Sequence, residues 1–117
     1  MKKTKYLNKT VSKPWGEFRD LAEDSGQWHL KLIFVKKGQR LSLQKHKLRS
    51  EFWIVLDGRA EAQKGKMVRR LNPQDYIFIK KGEIHRLKGL TDVLVAEISF
   101  GRHSETDIER LADDYGR

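Results

Sequence analysis

GQRLSLQKHKLRSEFWIVLDG, residues 38–58, reads as a strand, a polar turn and a second strand. Side chains alternate across a strand. Gln44 and His46 therefore share one face, extended by Ser42, while Leu41, Leu43 and Lys45 take the other. The same rule groups Arg49, Glu51, Trp53 and Val55. If the two strands pair antiparallel through a turn at residues 47–50, Gln44, His46 and Glu51 converge as an oxygen, nitrogen, oxygen set.

Upstream, residues 27–36 (QWHLKLIFVK) alternate as a strand, with Leu30, Leu32 and Phe34 on one face and His29, Lys31, Ile33 and Val35 on the other. His29 is expected to be a surface or edge histidine. Downstream, strands are expected over 51–56, 59–63, 67–71, 76–79, 84–87 and 93–100. They are separated by a hairpin turn at Asp57-Gly58, by Lys64-Gly65, by Asn72-Pro73-Gln74-Asp75 and by Lys80-Lys81-Gly82. Lys13-Pro14-Trp15-Gly16 is a turn whose tryptophan anchors the N-terminal arm on the core. The arm itself, residues 1–12, is polar at its start and expected to be flexible or exchanged with a neighbouring subunit. At the other end Ser104-Glu105-Thr106-Asp107 matches a capping box, which puts Ile108, Leu111 and Ala112 on one face of a short C-terminal helix. Many short strands with closely spaced turns predict an all-β antiparallel sandwich or small barrel.

A chain of 117 residues, 38% hydrophobic and 35% charged, fits one domain over residues 1–117 with one core. It has no cysteine, which excludes disulfides and thiolate metal sites. The formal charge of +9 invites a nucleic-acid reading. The basic residues, however, are spread along the chain at strand ends and turns, where they guard sheet edges, and no nucleic-acid-binding motif accompanies them. Nucleic acid is therefore not the expected partner, whereas a field attracting phosphorylated small molecules is. No apolar run follows the basic N-terminus, so neither a signal peptide nor a membrane span is expected, and the expected location is cytoplasmic. Unpaired edges and the basic arm predict a homodimer.

Gly38, Gln44, His46, Glu51 and Gly58, followed by Gly82 and His85, resemble the two-part pattern of the cupin superfamily. The resemblance implies a double-stranded β-helix, or jelly-roll barrel. Gln44 stands where many cupins have their first metal-binding histidine, and Gln74, Lys80 and Gly89 depart from the second part of the pattern. A narrower likeness rests on Lys13-Pro14-Trp15-Gly16, Leu41-Ser42-Leu43-Gln44, His46, Arg49, Glu51, Trp53, Gly82, His85-Arg86-Leu87, Asp107-Ile108, Arg110 and Asp114-Tyr115-Gly116-Arg117. Together these resemble the cupin domain of type II mannose-6-phosphate isomerases. Lys47, Leu48 and Phe52 occupy positions where those isomerases commonly carry histidines.

The resemblance implies a metal site of Gln44, His46, Glu51 and His85. Two imidazoles, a carboxylate and an amide oxygen suit a divalent ion, zinc first, with manganese, iron, cobalt or nickel able to replace it. It further implies interconversion of mannose 6-phosphate and fructose 6-phosphate, with Arg49 and Glu97 as candidate catalytic groups and Lys13 as a second candidate base. Arg49, Arg86 and Arg117 are the candidates for the substrate phosphate, although alternation turns Arg86 away from the face of His85. The competing expectation is a non-catalytic cupin that binds a sugar, a nucleotide sugar or a partner protein; oxygen chemistry on iron is a third.

Overall fold

The computed structural model describes residues 4–104 and 106–117. Among them the strands are β1 (Lys5–Lys13), β2 (Gly16–Asp24), β3 (Trp28–Val35), β4 (Leu43–Lys45), β5 (Arg49–Asp57), β6 (Ala60–Lys64), β7 (Met67–Leu71), β8 (Tyr76–Ile79), β9 (His85–Gly89), β10 (Val93–Gly101) and β11 (Glu109–Ala112). They form two antiparallel sheets, one ordered β1-β2-β3-β10-β5-β8 and the other β11-β4-β9-β6-β7. No helix occurs among the described residues, and none is long and apolar enough to cross a membrane.

The inward residues of both sheets make one core. Ile33, Val35, Trp53, Val55, Val93 and Val95 come from the larger sheet and Ala60, Ala62, Leu71 and Leu87 from the smaller, all nearly inaccessible to water. Burying each large side chain stabilises the fold by about 1.5–3 kcal/mol. Trp15 joins this core as expected, and its carbonyl accepts from Lys36 N at 2.9 Å. Gly16 follows with φ 152°, and a Cβ there would lie 2.0 Å from the Phe34 carbonyl oxygen. Only glycine allows β2 to start so close to β3.

Several expectations are corrected. In the described part of the N-terminal arm, where no strand was expected, β1 pairs with β2 of its own chain from Lys5 opposite Glu23 to Lys13 opposite Gly16. Residues 1–3 lie outside the described residues. The C-terminal helix is absent; its segment is β11, paired to β4 with Arg110 opposite Gln44. The Ser104 hydroxyl does accept from a backbone N–H, that of Thr106 at 3.3 Å, but the local bonds stop at a single turn. Extended pairing to β4 then satisfies the backbone that a helix would have satisfied internally. The two strands of residues 38–58 do not form a hairpin either, because β4 belongs to the smaller sheet and β5 to the larger. Asp57-Gly58 likewise turns the chain from one sheet to the other. A Cβ at Gly58 would lie 2.1 Å from the Asp92 carbonyl oxygen, which explains the glycine at this corner.

Candidate metal centre

Because residues 46–49 cross between sheets, His46 and Glu51 face each other across the interior instead of along one sheet. Glu51 stands on the inner face of β5, opposite Ser99 of β10. On the smaller sheet Gln44 is the cross-strand partner of His85. His46 Nε2 lies 3.4 Å from Glu51 Oε2, and His85 Nε2 lies 3.4 Å from Glu51 Oε1. One ligating atom from each of these three residues falls within 4.8 Å of the other two. The two rings are 5.0 Å apart between centroids. All three side chains are buried, as is Gln44, which lines the same cavity as His46 and Glu51.

The donor set fits a divalent ion. Each histidine points Nδ1 at a backbone carbonyl, His46 at Asp107 O (2.5 Å) and His85 at Glu83 O (2.9 Å). A proton on Nδ1 leaves the Nε2 lone pairs directed toward Glu51. His85 Nε2 is buried, and facing it is the Glu51 carboxylate at a long 3.4 Å, a spacing that a cation between the two would fill. Adjacent ligands held at about 2.0–2.2 Å from one ion sit roughly 3–3.4 Å apart, which the two observed separations match.

Electrostatics divide the three groups. Burial alone would raise the Glu51 carboxyl, but His85, His46 and Arg49 outweigh it and hold Glu51 well below the usual carboxylate range. His46 is lowered, chiefly by burial and also by Arg49. Burial would lower His85 as well, but Glu51 reverses the effect and raises it. Arg49 supports the carboxylate directly, donating from Nε to Glu51 Oε2 at 2.9 Å and from Nη1 to Ser104 O at 3.1 Å, with Nη2 3.3 Å from His46 Nε2. The Asp107 carboxylate receives the backbone N–H groups of Lys47 (2.8 Å) and Leu48 (2.9 Å) and so fixes the turn that delivers His46.

One row further along the inner face lies Glu97, opposite Trp53 on β5 and Lys31 on β3. Trp53 Nε1 donates to its Oε2 at 3.1 Å and Ser99 Oγ to its Oε1 at 3.3 Å, while Lys31 Nζ is 4.0 Å from Oε1. Burial first, and then the charge of Glu51, push the Glu97 carboxyl above its ordinary value. The cavity beside these groups has a volume of about 80 Å³ and five cationic lining residues, Lys13, Lys31, Arg49, Arg110 and Arg117, against two anionic ones, Glu51 and Glu97. Arg117 also bonds Asp113 through Nε at 2.9 Å.

Not every expected residue gathers here. Arg86 does not line the cavity; it donates to Leu41 O at 2.9 Å and Ala112 O at 3.3 Å, tying the C-terminal strand to the barrel. Leu41 lines the cavity together with Ser42, because the chain is irregular there and strict alternation lapses before β4. Lys47, Leu48 and Phe52 lie outside the lining. His29 is no surface residue. It is 4% exposed, and its Nε2 and Nδ1 meet Asp20 at 2.7 Å and Glu23 at 3.0 Å. Its ring stacks on His103 at 3.8 Å, and His103 is pushed down to about 3 by burial and by Lys31 and Arg49. The available signal was that His29 shares a strand face with Ile33 and Val35, both core residues.

Residues 1–113 match the family described as mannose-6-phosphate isomerase C-terminal. The chain is similar to the xanthan biosynthesis protein XanB of Xanthomonas campestris pv. campestris, 40% identical over 114 residues that cover 94% of this chain and 24% of XanB. It is similar, too, to mannose-1-phosphate guanylyltransferase 2 of Escherichia coli O157:H7, 34% identical over 117 residues, or 97% of this chain and 24% of that protein. It thus spans about a quarter of the length of these curated relatives. Among solved structures, KdgF from Halomonas sp. superposes with a TM-score of 0.77 at 16% identity, covering 87% of this chain and 97% of its own, a likeness of fold.

Proposed function

The chain belongs to the mannose-6-phosphate isomerase C-terminal family of cupin domains, and from that premise we propose that it is a metal-dependent isomerase interconverting mannose 6-phosphate and fructose 6-phosphate. The observation that carries the proposal is the meeting of His46, Glu51 and His85 in one buried spot, with a second buried carboxyl, Glu97, in the same cationic cavity.

Gln44, His46, Glu51 and His85 would hold the ion. A divalent cation so bound supplies Lewis acidity to the sugar oxygens, and zinc fits the donor set as manganese, iron, cobalt or nickel do. The remaining work falls to the chain. Glu97 takes the proton that moves between adjacent sugar carbons, a task for which its raised affinity for protons suits it. Trp53 and Ser99 keep its carboxyl in place. Arg49 and Arg117, with Lys13, Lys31 and Arg110 around the same cavity, attract and hold the phosphate. Arg49 also orients Glu51.

The test is a coupled assay on protein loaded in turn with each candidate metal. Turnover of mannose 6-phosphate is expected, lost in His85→Ala and in Glu97→Gln, with Glu97→Gln still binding the substrate. Folded, metal-loaded protein that binds hexose phosphates and converts none of them would overturn isomerisation and leave a sugar-binding cupin.

A further inference from the structure

Two of the cations that line the cavity, Arg110 and Arg117, come from β11 and the segment after it. An arginine on a loose segment would hold a small anion poorly, because binding would have to immobilise it. Residues 113–117 are instead fastened beside the cavity. Arg40 donates to the Asp114 carboxylate from Nε at 2.6 Å and from Nη2 at 2.9 Å. The Tyr115 hydroxyl donates to Gln39 Oε1 at 2.5 Å, and Tyr115 packs against the core. Gln39 and Arg40 directly precede Leu41 and Ser42, which line the cavity.

Asp113 closes the segment on itself. Its carboxylate accepts the backbone N–H groups of Tyr115 at 3.3 Å and Arg117 at 2.9 Å, and Gly116 makes the turn at φ 70°, which glycine adopts without strain. The same carboxylate takes the Arg117 side chain, Nε to Oδ2 at 2.9 Å and Nη2 to Oδ1 at 3.4 Å, and the Tyr115 ring stands 5.8 Å from its Cζ. Burial would raise the Asp113 carboxyl, but Arg117 and the backbone donors outweigh it and hold it below its ordinary value. Asp113 grips the guanidinium along its Nε side. The end of the fork is left for an anion.

We propose that Asp113 is a positioning residue, which presents Arg117 to the cavity in one orientation and so makes the site prefer a phosphorylated sugar to the free one. The inference rests on the isomerase reading for the identity of the sugar, while the preference itself needs no turnover.

Calorimetric titration of the metal-loaded 117-residue chain with mannitol 1-phosphate, mannitol and inorganic phosphate tests it, since none of these carries a carbonyl to isomerise. Wild type should bind mannitol 1-phosphate at least about 10-fold more tightly than mannitol, and Arg117→Ala should weaken both phosphate ligands about 10–100-fold. Asp113→Ala should weaken them about 10-fold and Asp113→Asn less, with mannitol binding unchanged. Asp113→Ala combined with Arg117→Ala should lose no more than Arg117→Ala alone, because one residue acts through the other. Arg70→Ala, exposed on β7, should change nothing. In the isomerase assay Asp113→Ala should raise KM for mannose 6-phosphate and leave kcat within about twofold.

Equal wild-type affinity for mannitol and its phosphate would overturn the inference. So would phosphate binding that survives Asp113→Ala, losses that add in the double variant, or an equal loss of mannitol binding. The expected binding pattern without turnover would overturn the isomerase reading and leave this inference standing; turnover with KM unmoved by Asp113→Ala would do the reverse.

Discussion

The inner face of the larger sheet changes character midway along the same strands. At one end β3, β5 and β10 point Val35, Val55, Val93 and Val95 inward; at the other they point Lys31, His29, Glu51, Glu97 and Ser99. Both ends are buried to a similar degree, and the boundary is the Trp53–Glu97 hydrogen bond. The apolar end closes on Leu71, Leu87 and two alanines of the smaller sheet, whereas the polar end closes on His85 and the turn that carries His46. One strand therefore does two jobs. Its apolar half holds the barrel together, and that stability permits the other half to keep charged groups out of water.

Substitution should separate the two ends. The largest effect is expected from Glu97→Gln, which should lower kcat by about 10²–10⁴-fold. Its stability should match or exceed wild type at neutral pH, because the raised Glu97 carboxyl makes the folded state prefer the protonated form; wild-type stability drawn from this group declines as pH rises from about 4.3 through the raised folded value. Kinetics and urea melts over pH check both halves. At the apolar end Leu87→Ala should lose about 3 kcal/mol in denaturant unfolding, while metal affinity per folded molecule stays unchanged; an equal loss of both would dissolve the contrast.

Two smaller effects sharpen it. Glu51 is held low in the folded state, so its contribution to stability is present above about 4.3 and lost as pH falls below that value. Acid melts of metal-free protein should show this loss, and Glu51→Gln should flatten it. His29→Ala should cost about 1–2 kcal/mol, since it removes the ring that Asp20 and Glu23 both contact. His29→Gln should recover part of that loss.

Most strands of the second half were legible because turn residues bracket them, as Gly65 does between β6 and β7 and Asn72-Pro73 before β8. Alternation brought His46 and Glu51 together only under a hairpin that does not form, and His85 joined them only through the family pattern, since alternation can set residues on a face but cannot say which strands pair. That is why the expected hairpin of residues 38–58 fails. β1 was missed because it is an edge strand whose exposed residues follow no apolar period. The C-terminal helix was a misreading of a four-residue edge strand, β11, exposed throughout. His29 was misplaced because β3 is apolar on one face and mixed on the other, and the mixed face is the one turned inward.

Calorimetric titration of the metal-free chain with zinc and manganese tests the central claim most directly. About one ion per chain should bind with release of protons. His46→Ala, Glu51→Gln and His85→Ala should each weaken binding by more than the roughly 100-fold typical of losing an outer-shell partner, with the circular dichroism of the folded barrel retained. Absence of saturable binding, or binding that survives Glu51→Gln combined with His85→Ala, would contradict the account.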